Sequence, residues 1–469
     1  MNPGPAEPPS TSSPAPPASP HSSGDSASGP AARGLRRRLS IIPFPMLIVV
    51  FPTTAVILGD SLIYIVLPAS AADFGIGPAL GLSTAFWLGL ALSINRFVRI
   101  ASNVLAATTY RRFGFRGPFI AATALGATTT LGYGLGSGIA VLLLARALWG
   151  VAYSFLRLGA QLTAFEVGRP DTRGRLLAFF NAGSRAGSLL AVTAGAVLAD
   201  LTSRTVTFSA LAALGLLGIL VATRAPALTV RRGPASTSTT KQRSPSGYRE
   251  RAWATVVAPV AASRHHTRTL MLSISLTKFA AAFASTGLVI ATISPFLGDI
   301  VQRDPHIFGS TFRLVTLAGA IVGVRWFADL ALSLPLGHAS DIFGRRRTIA
   351  TAAAIIVGSL VLAAQSQSLE LFIFAIVAVF FSGVALETAL DAAMGETAPH
   401  DVRPEAMARH AAWHDLGSAT GPFAGFLIGA SLGFDDAYLM AAALIAGTTL
   451  AYVAASRRPL QRAPAPPGA

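Results

Sequence analysis

Ionisable residues in this chain recur one helical turn apart. Arg325 and Asp329, Glu387 and Asp391, and His410 and His414 are spaced i, i+4, while Arg146, Gly150, Tyr153, Arg157 and Gln161 follow in steps of 4, 3, 4 and 4. Such spacing stacks side chains on one face of a helix, so each set can act as a unit. Lys278 and Asp415 fall in apolar stretches of the same region. Paired histidines can ligate a metal or titrate near neutral pH. With no cysteine in the chain and no second histidine pair at i, i+4, no metal site is expected. No glycine-rich nucleotide loop and no His-Glu-x-x-His run is present, so the residues do not point to an enzyme.

The stretches that carry these residues are apolar. The chain is 52% hydrophobic and 12% charged, about half the charged fraction of a soluble domain, so an integral membrane protein with the lipid bilayer as its solvent is expected. The +16 net charge is scattered in short clusters between apolar runs, which argues for loop anchoring and against nucleic acid. Runs that meet the ~20-residue length of a span lie at 44–69, 79–101, 117–137, 139–163, 175–199 and 205–223, and again at 269–297, 313–336, 348–366, 369–394, 405–432 and 437–455. Residues 1–40 form a Pro/Ser/Ala/Gly-rich tail that is expected to be disordered, and no cleavable signal peptide is visible in it. The two sets of runs define segments 41–224 and 269–456, joined by a polar linker, 225–268, with a short surface helix expected around Tyr248–Ala262, and 457–469 form a C-terminal tail. Arginines such as Arg111, Arg112, Arg116, Arg173, Arg345, Arg346 and Arg403 share a side with the N-terminal cluster and the linker. The bias of basic residues toward the cytoplasm then puts both termini there, in a multi-pass protein of the cytoplasmic membrane.

The halves align without a gap at a shift of 230 positions (341 − 111 = 230). Phe113-Gly114 falls on Phe343-Gly344, Arg116 on Arg346, and Gly187-Ser188 on Gly417-Ser418. Arg99, Arg157 and Arg185 fall on Asp329, Glu387 and Asp415, so the first half is basic where the second is acidic. If equivalent residues face one another across a two-fold axis, these would form ion pairs between the halves that close the cytoplasmic side; pairing within each half, as for Arg325 and Asp329, is the alternative.

The stretch Gly337-x-x-x-Asp341-x-x-Gly344-Arg345-Arg346-Arg347 resembles the short loop between the second and third helices of a six-helix half in the major facilitator superfamily. In that reading its glycines allow close approach, and Asp341 caps a helix start and attracts the arginines. Arg111 stands where the first copy would carry that acid. Arg146-x-x-x-Gly150 is similar to the fourth-helix motif of proton-coupled members, whose arginine tunes a carboxylate. Asp60, about eight residues from the outer end of its span, is the natural partner of Arg146, about seven from its own, which at ~1.5 Å per residue is nearly the same depth. Gly417-x-x-x-Gly421-Pro422 resembles a motif that drug antiporters of the family carry in the fifth span; here it lies in the eleventh, and it reads first as a packing and hinge element.

The resemblance implies an all-α membrane protein of two six-helix bundles related by a pseudo-two-fold axis along the membrane normal, rocking about a central cavity. The expected function is secondary transport of a small organic solute by a monomer, with the proton motive force as driving gradient and no cofactor. Asp60, Arg146, Glu387 and Asp391 are the proton-coupling candidates. Tyr64, Tyr153, Arg157, Gln161, Lys278 and His414 are the cavity candidates. Gly337, Asp341, Gly344, Arg345, Arg346, Arg99, Arg185, Asp329 and Asp415 are the gating candidates. A membrane sensor or assembly platform that binds a ligand without moving it is the alternative. The near balance of cavity charge leaves the sign of the solute open.

Overall fold

The computed structural model describes residues 4, 42–169, 172–225, 265–300, 306–307, 310–311, 313–399 and 402–457. The N-terminal tail, most of the linker with the short helix expected there, and residues beyond 457 lie outside the described residues. From Pro43 onward the described residues form a bundle of long helices. The first six are α1 (Phe44–Ala69), α2 (Thr84–Phe113), α3 (Arg116–Leu135), α4 (Ile139–Val167), α5 (Arg173–Leu201) and α6 (Arg204–Ala222). The second six are α7 (Thr267–Ile300), α8 (Leu314–Phe343), α9 (Arg345–Gln365), α10 (Leu369–Thr397), α11 (Arg403–Ser431) and α12 (Phe434–Ser456). Between α7 and α8 two short strands, β1 (His306–Ile307) and β2 (Ser310–Thr311), pair antiparallel.

Nine of these helices are long and apolar enough to cross a membrane by composition alone. The other three, α2, α3 and α11, are diluted by polar residues: Arg96 and Arg99 in α2, Thr128, Thr129 and Thr130 in α3, and Arg409, His410, His414 and Asp415 in α11. Such residues are tolerated at depth when they face protein or a wet cavity.

The internal repeat governs the backbone. Helices α2 and α8 start and end 230 positions apart (314 − 84 = 230, 343 − 113 = 230), and so do α4 with α10 and α5 with α11. Gly114 (φ 73°) and Phe115 separate α2 from α3, and Gly344 (φ 86°) alone separates α8 from α9. The stretch that reads as a loop in the sequence is therefore mostly helix: Gly337 through Phe343 complete α8, and α9 starts at Arg345. Asp341 caps no helix start, because the residue preceding α9 is Gly344; Asp341 instead pairs with Arg345 across the break. Helices α2, α4, α8 and α10 also run past the apolar segments, since helix formation continues into wetted ends such as Tyr110-Arg111-Arg112-Phe113.

Helices α1 and α7 occupy the centre, with 78% and 94% of their apolar cores buried against at most 50% for the other apolar spans. Small residues set the close crossings. A Cβ at Gly150 would strike the Asn95 carbonyl of α2, and Cβ atoms at Gly417 and Gly421 would strike the Phe279 and Phe283 carbonyls of α7. Around that crossing α7 widens into a π-helical segment, Ala282–Leu288. The glycine-proline stretch of α11 is thus a packing surface for α7.

Contacts between the halves gather on one side of the centre, toward the end that carries Ser83 and Ser368. Gly89 meets the backbone of Phe423, Gly319 meets the Val192 carbonyl, the Ser294 hydroxyl donates to the Ile65 carbonyl at 3.2 Å, and the backbone N–H of Thr316 donates to Asp200 at 2.7 Å.

Candidate functional site

A cavity of about 340 Å³ lies between the halves, walled by α1, α2, α4 and α5 on one side and α7, α8, α10 and α11 on the other. Of the residues singled out from the sequence, Asp60, Tyr64, Arg99, Tyr153, Arg157, Arg185, Asp329, Glu387, His414 and Asp415 line it. Gln161 shares the α4 face but does not reach the cavity wall, because that face is longer than the cavity. Lys278 and Asp391 stand behind the wall, and Gly337, Asp341, Gly344, Arg345 and Arg346 lie at the far helix ends. There Arg345 also reaches Glu396 at 2.9 Å and binds the Gly337 carbonyl at 3.5 Å, while Arg346 is exposed.

The first-half wall is built on one ion pair. Arg146, fully buried, pairs with Asp60, whose side chain is 15% exposed toward the cavity. The guanidinium is fixed by more than that carboxylate: its Nε donates to the Ala91 carbonyl at 2.9 Å and Nη2 to the Leu92 carbonyl at 3.3 Å. The Asn95 amide donates to Asp60 at 3.3 Å, and the Tyr64 hydroxyl donates to the Leu92 carbonyl at 3.0 Å. The Tyr64 ring lies beneath both Arg146 (4.9 Å) and Arg96 (5.4 Å). A change of charge on Asp60 is therefore felt directly by α2 and α4.

The second-half wall is a network. Glu387 faces Arg325 at 3.2 Å, His414 at 3.4 Å and Lys278 at 3.5 Å, and accepts from the Ser285 and Thr286 hydroxyls at 3.3 Å each. Arg325 also holds Asp329 at 2.7 Å. Lys278 also holds Asp391 at 3.0 Å, and Asp391 contacts His410 at 3.1 Å. Glu387 and Asp391 thus share a helix face and a lysine, but only Glu387 faces the cavity.

Among the described residues two ion pairs join the halves: Arg157 to Asp415 at 3.6 Å and Arg185 to Asp329 at 3.7 Å. Pairing across the interface occurs, yet with other partners than repeat equivalence suggests. A two-fold axis places equivalent helices at opposite corners, so α2 crosses α11 and α5 crosses α8. Arg185–Asp329 is then the symmetry copy of Arg99 with Asp415, two residues that also interact electrostatically. Arg157 and Glu387 are not partners, since Glu387 is held by bases of its own half. The sign inversion between the halves still works, because any crossing then brings base to acid.

Sequence reasoning left out two polar contributors, Asn95 and Arg96. Asn95 lines the cavity at the position equivalent to Arg325 (325 − 95 = 230), a signal the repeat alignment contained. Arg96 lines it too, donating to the Ser418 carbonyl at 2.5 Å; its equivalent is Trp326, so no charge pattern marked it.

The sequence matches the family described as Major Facilitator Superfamily over residues 49–324 and 279–468. No curated protein matches it. Among solved structures it is similar to a bacterial homolog to the human lysosomal transporter Spinster in an inward-facing and unoccupied conformation, with a TM-score of 0.64 at 14% identity over 88% of this chain and 96% of that one. It is similar to the nucleoside transporter NupG, with a TM-score of 0.64 at 12% identity over 89% of this chain and 100% of that one. The human organic anion transporter MFSD10 (TETRAN) matches with a TM-score of 0.58 at 14% identity over 88% of this chain and 100% of that one. At these identities the likeness is one of fold.

Proposed function

Since the chain belongs to the Major Facilitator Superfamily, we propose that it is a secondary active transporter that moves a small organic solute across the cytoplasmic membrane by alternating access, coupled to protons. Membership makes it a membrane solute transporter and not an enzyme; the solute class, the coupling ion and the orientation are the reading argued here. One observation carries it. Asp60 is the one first-half carboxylate that lines the cavity between the halves, and it is backed by a fully buried arginine that two carbonyls hold in place. If Asp60 takes a proton, Arg146 keeps its carbonyl bonds while Asn95 loses a charged acceptor, so the event reaches the cavity wall. Glu387 and Asp391 are the second-half carboxylates that could share the load.

In this reading the arginine-rich Gly114/Gly344 end faces the cytoplasm, which the bias of basic loops toward that side supports. The halves pack together between the cavity and the opposite end, so this reading assigns the described state as closed to the outside. The Arg157–Asp415 and Arg185–Asp329 pairs would part and re-form as one bundle rocks on the other.

The test is flux in proteoliposomes carrying an internal pH dye, with a panel of small organic solutes. Asp60→Asn should abolish proton movement and uphill accumulation while leaving exchange of solute for solute. Full accumulation by that variant would remove coupling from Asp60. An unaltered protein that moves neither solute nor protons would favour a ligand-binding sensor.

A further inference from the structure

Around the cavity, Arg146, Arg157, Arg185, Lys278 and Arg325 each lie within 3.7 Å of a carboxylate oxygen. Among the described residues Arg96 and Arg99 have no such carboxylate. Both line the cavity from one face of α2, three residues apart. Arg96 rests on the Tyr64 ring and the Ser418 carbonyl, neither of which carries a full negative charge. Arg99 lies over the Tyr153 ring at 5.1 Å, and its Nε is buried with no hydrogen-bond partner. The acid that bears on Arg99, Asp415, already contacts Arg157 and His414. Two adjacent guanidiniums with no carboxylate of their own in the middle of a membrane protein are costly unless a counter-charge visits them.

We propose that Arg96 and Arg99 form an anion subsite, and that the solute is a small organic anion whose carboxylate or phosphate docks on them. The inference rests on the transport reading above and adds the chemical class. The planar fork of a guanidinium suits either oxyanion, by paired N–H donation. Tyr153, Trp149 and Trp326 offer the apolar wall for the rest of the molecule. A cation finds no matching vacancy, because each carboxylate here already holds a base.

The test uses one benzene scaffold carrying different charges: benzoate, phenyl phosphate, benzamide and benzylamine. Binding to the purified full-length protein is read by quenching of tryptophan fluorescence, to which Trp149 and Trp326 in the cavity wall contribute. The expected order is benzoate or phenyl phosphate tighter than benzamide by about tenfold, the scale of a hydrogen bond to a charged group, with benzylamine weakest. Which of the two anions leads identifies the oxyanion. Arg96→Gln and Arg99→Gln should each erase the anion preference and leave benzamide unchanged, and Arg99→Lys should retain part of it. Equal binding of all four, a preference for benzylamine, or no binding at millimolar concentration would overturn the proposal. Because the charge series is run on the unaltered protein, a variant that fails to fold does not blunt it. Proton-coupled flux of a neutral or cationic solute would sink the anion subsite while leaving the transport reading intact.

Discussion

In the first half one carboxylate, Asp60, meets one fully buried base, Arg146; in the second, Glu387 is shared by Lys278, Arg325 and His414, each of which has another acid within reach. The repeat makes this contrast sharp. The positions equivalent to Asp60 and Arg146 are Ile290 and Ile376 (290 − 60 = 230, 376 − 146 = 230), and the position equivalent to Glu387 is Arg157 (387 − 157 = 230). Two copies of one backbone thus carry unlike charge plans. A lone pair leaves nothing to take over when one member goes. A network can pass a lost partner's role to a neighbour, so the two walls should fail differently.

The largest effect is expected where there is no substitute. Arg146→Ala leaves Asp60 with no base and takes a donor from the Ala91 and Leu92 carbonyls, and breaking a buried pair in this way costs about 3–5 kcal/mol. Glu387→Gln leaves Arg325 on Asp329 and Lys278 on Asp391, so its cost should stay at about 1–3 kcal/mol, the scale of unmet buried polar groups. Thermal unfolding of the purified variants ranks them. Glu387→Gln melting below Arg146→Ala would break the contrast between pair and network.

A second comparison concerns the backbone breaks that the halves share. Gly114 and Gly344 have positive φ, and a Cβ at either would meet open space, so only backbone strain opposes a side chain there. Residues forced into such glycine-only conformations cost about 1–3 kcal/mol. Gly114→Ala and Gly344→Ala should therefore lower stability by nearly equal amounts, although only the second turn carries the Asp341–Arg345–Glu396 cluster. If Gly344→Ala proved much milder, the acidic cluster would be shaping the turn, and the loss of the acid at Arg111 would have a structural consequence.

Much of this molecule is legible in its sequence because a membrane leaves few choices for apolar runs. Each predicted run overlaps a helix, and the shift of 230 positions carries through to the ends of α4 and α10, 139–167 and 369–397. The helix ends were less legible, since hydropathy stops at the first charge while the backbone bonds of α8 continue through Asp341 to Phe343. Asp60 with Arg146 was readable from depth alone, both lying on first-half helices that pack directly together. The partners of Arg157 and Arg185 were not. A repeat says which residues are equivalent, but which helices cross depends on the position of the axis, and no residue spells that out. Arg96 went unseen because a single arginine opposite Trp326 breaks no pattern.

The smallest expected effect tests that crossing most directly. Arg157 and Asp415 are 3.6 Å apart, with side chains 38% and 27% exposed, so water screens the pair and its coupling should be only about 0.2–1 kcal/mol. A double-mutant cycle with Arg157→Gln and Asp415→Asn, read by thermal unfolding, should return a coupling in that range. The same cycle on Arg157→Gln and Glu387→Gln should give a smaller value, because those two are linked only through His414 and Asp415. The ratio matters more than either magnitude. Repeat equivalence places Arg157 opposite Glu387, whereas crossed helices place it against Asp415, and the stronger coupling identifies the arrangement that holds the bundles together. If Arg157 couples more strongly to Glu387, the axis relates facing residues and the crossed pairs are incidental to the state described. If Asp415 wins, the sign inversion between the halves acts through crossing helices, and Arg185 with Asp329 should repeat the result at the symmetry-related corner.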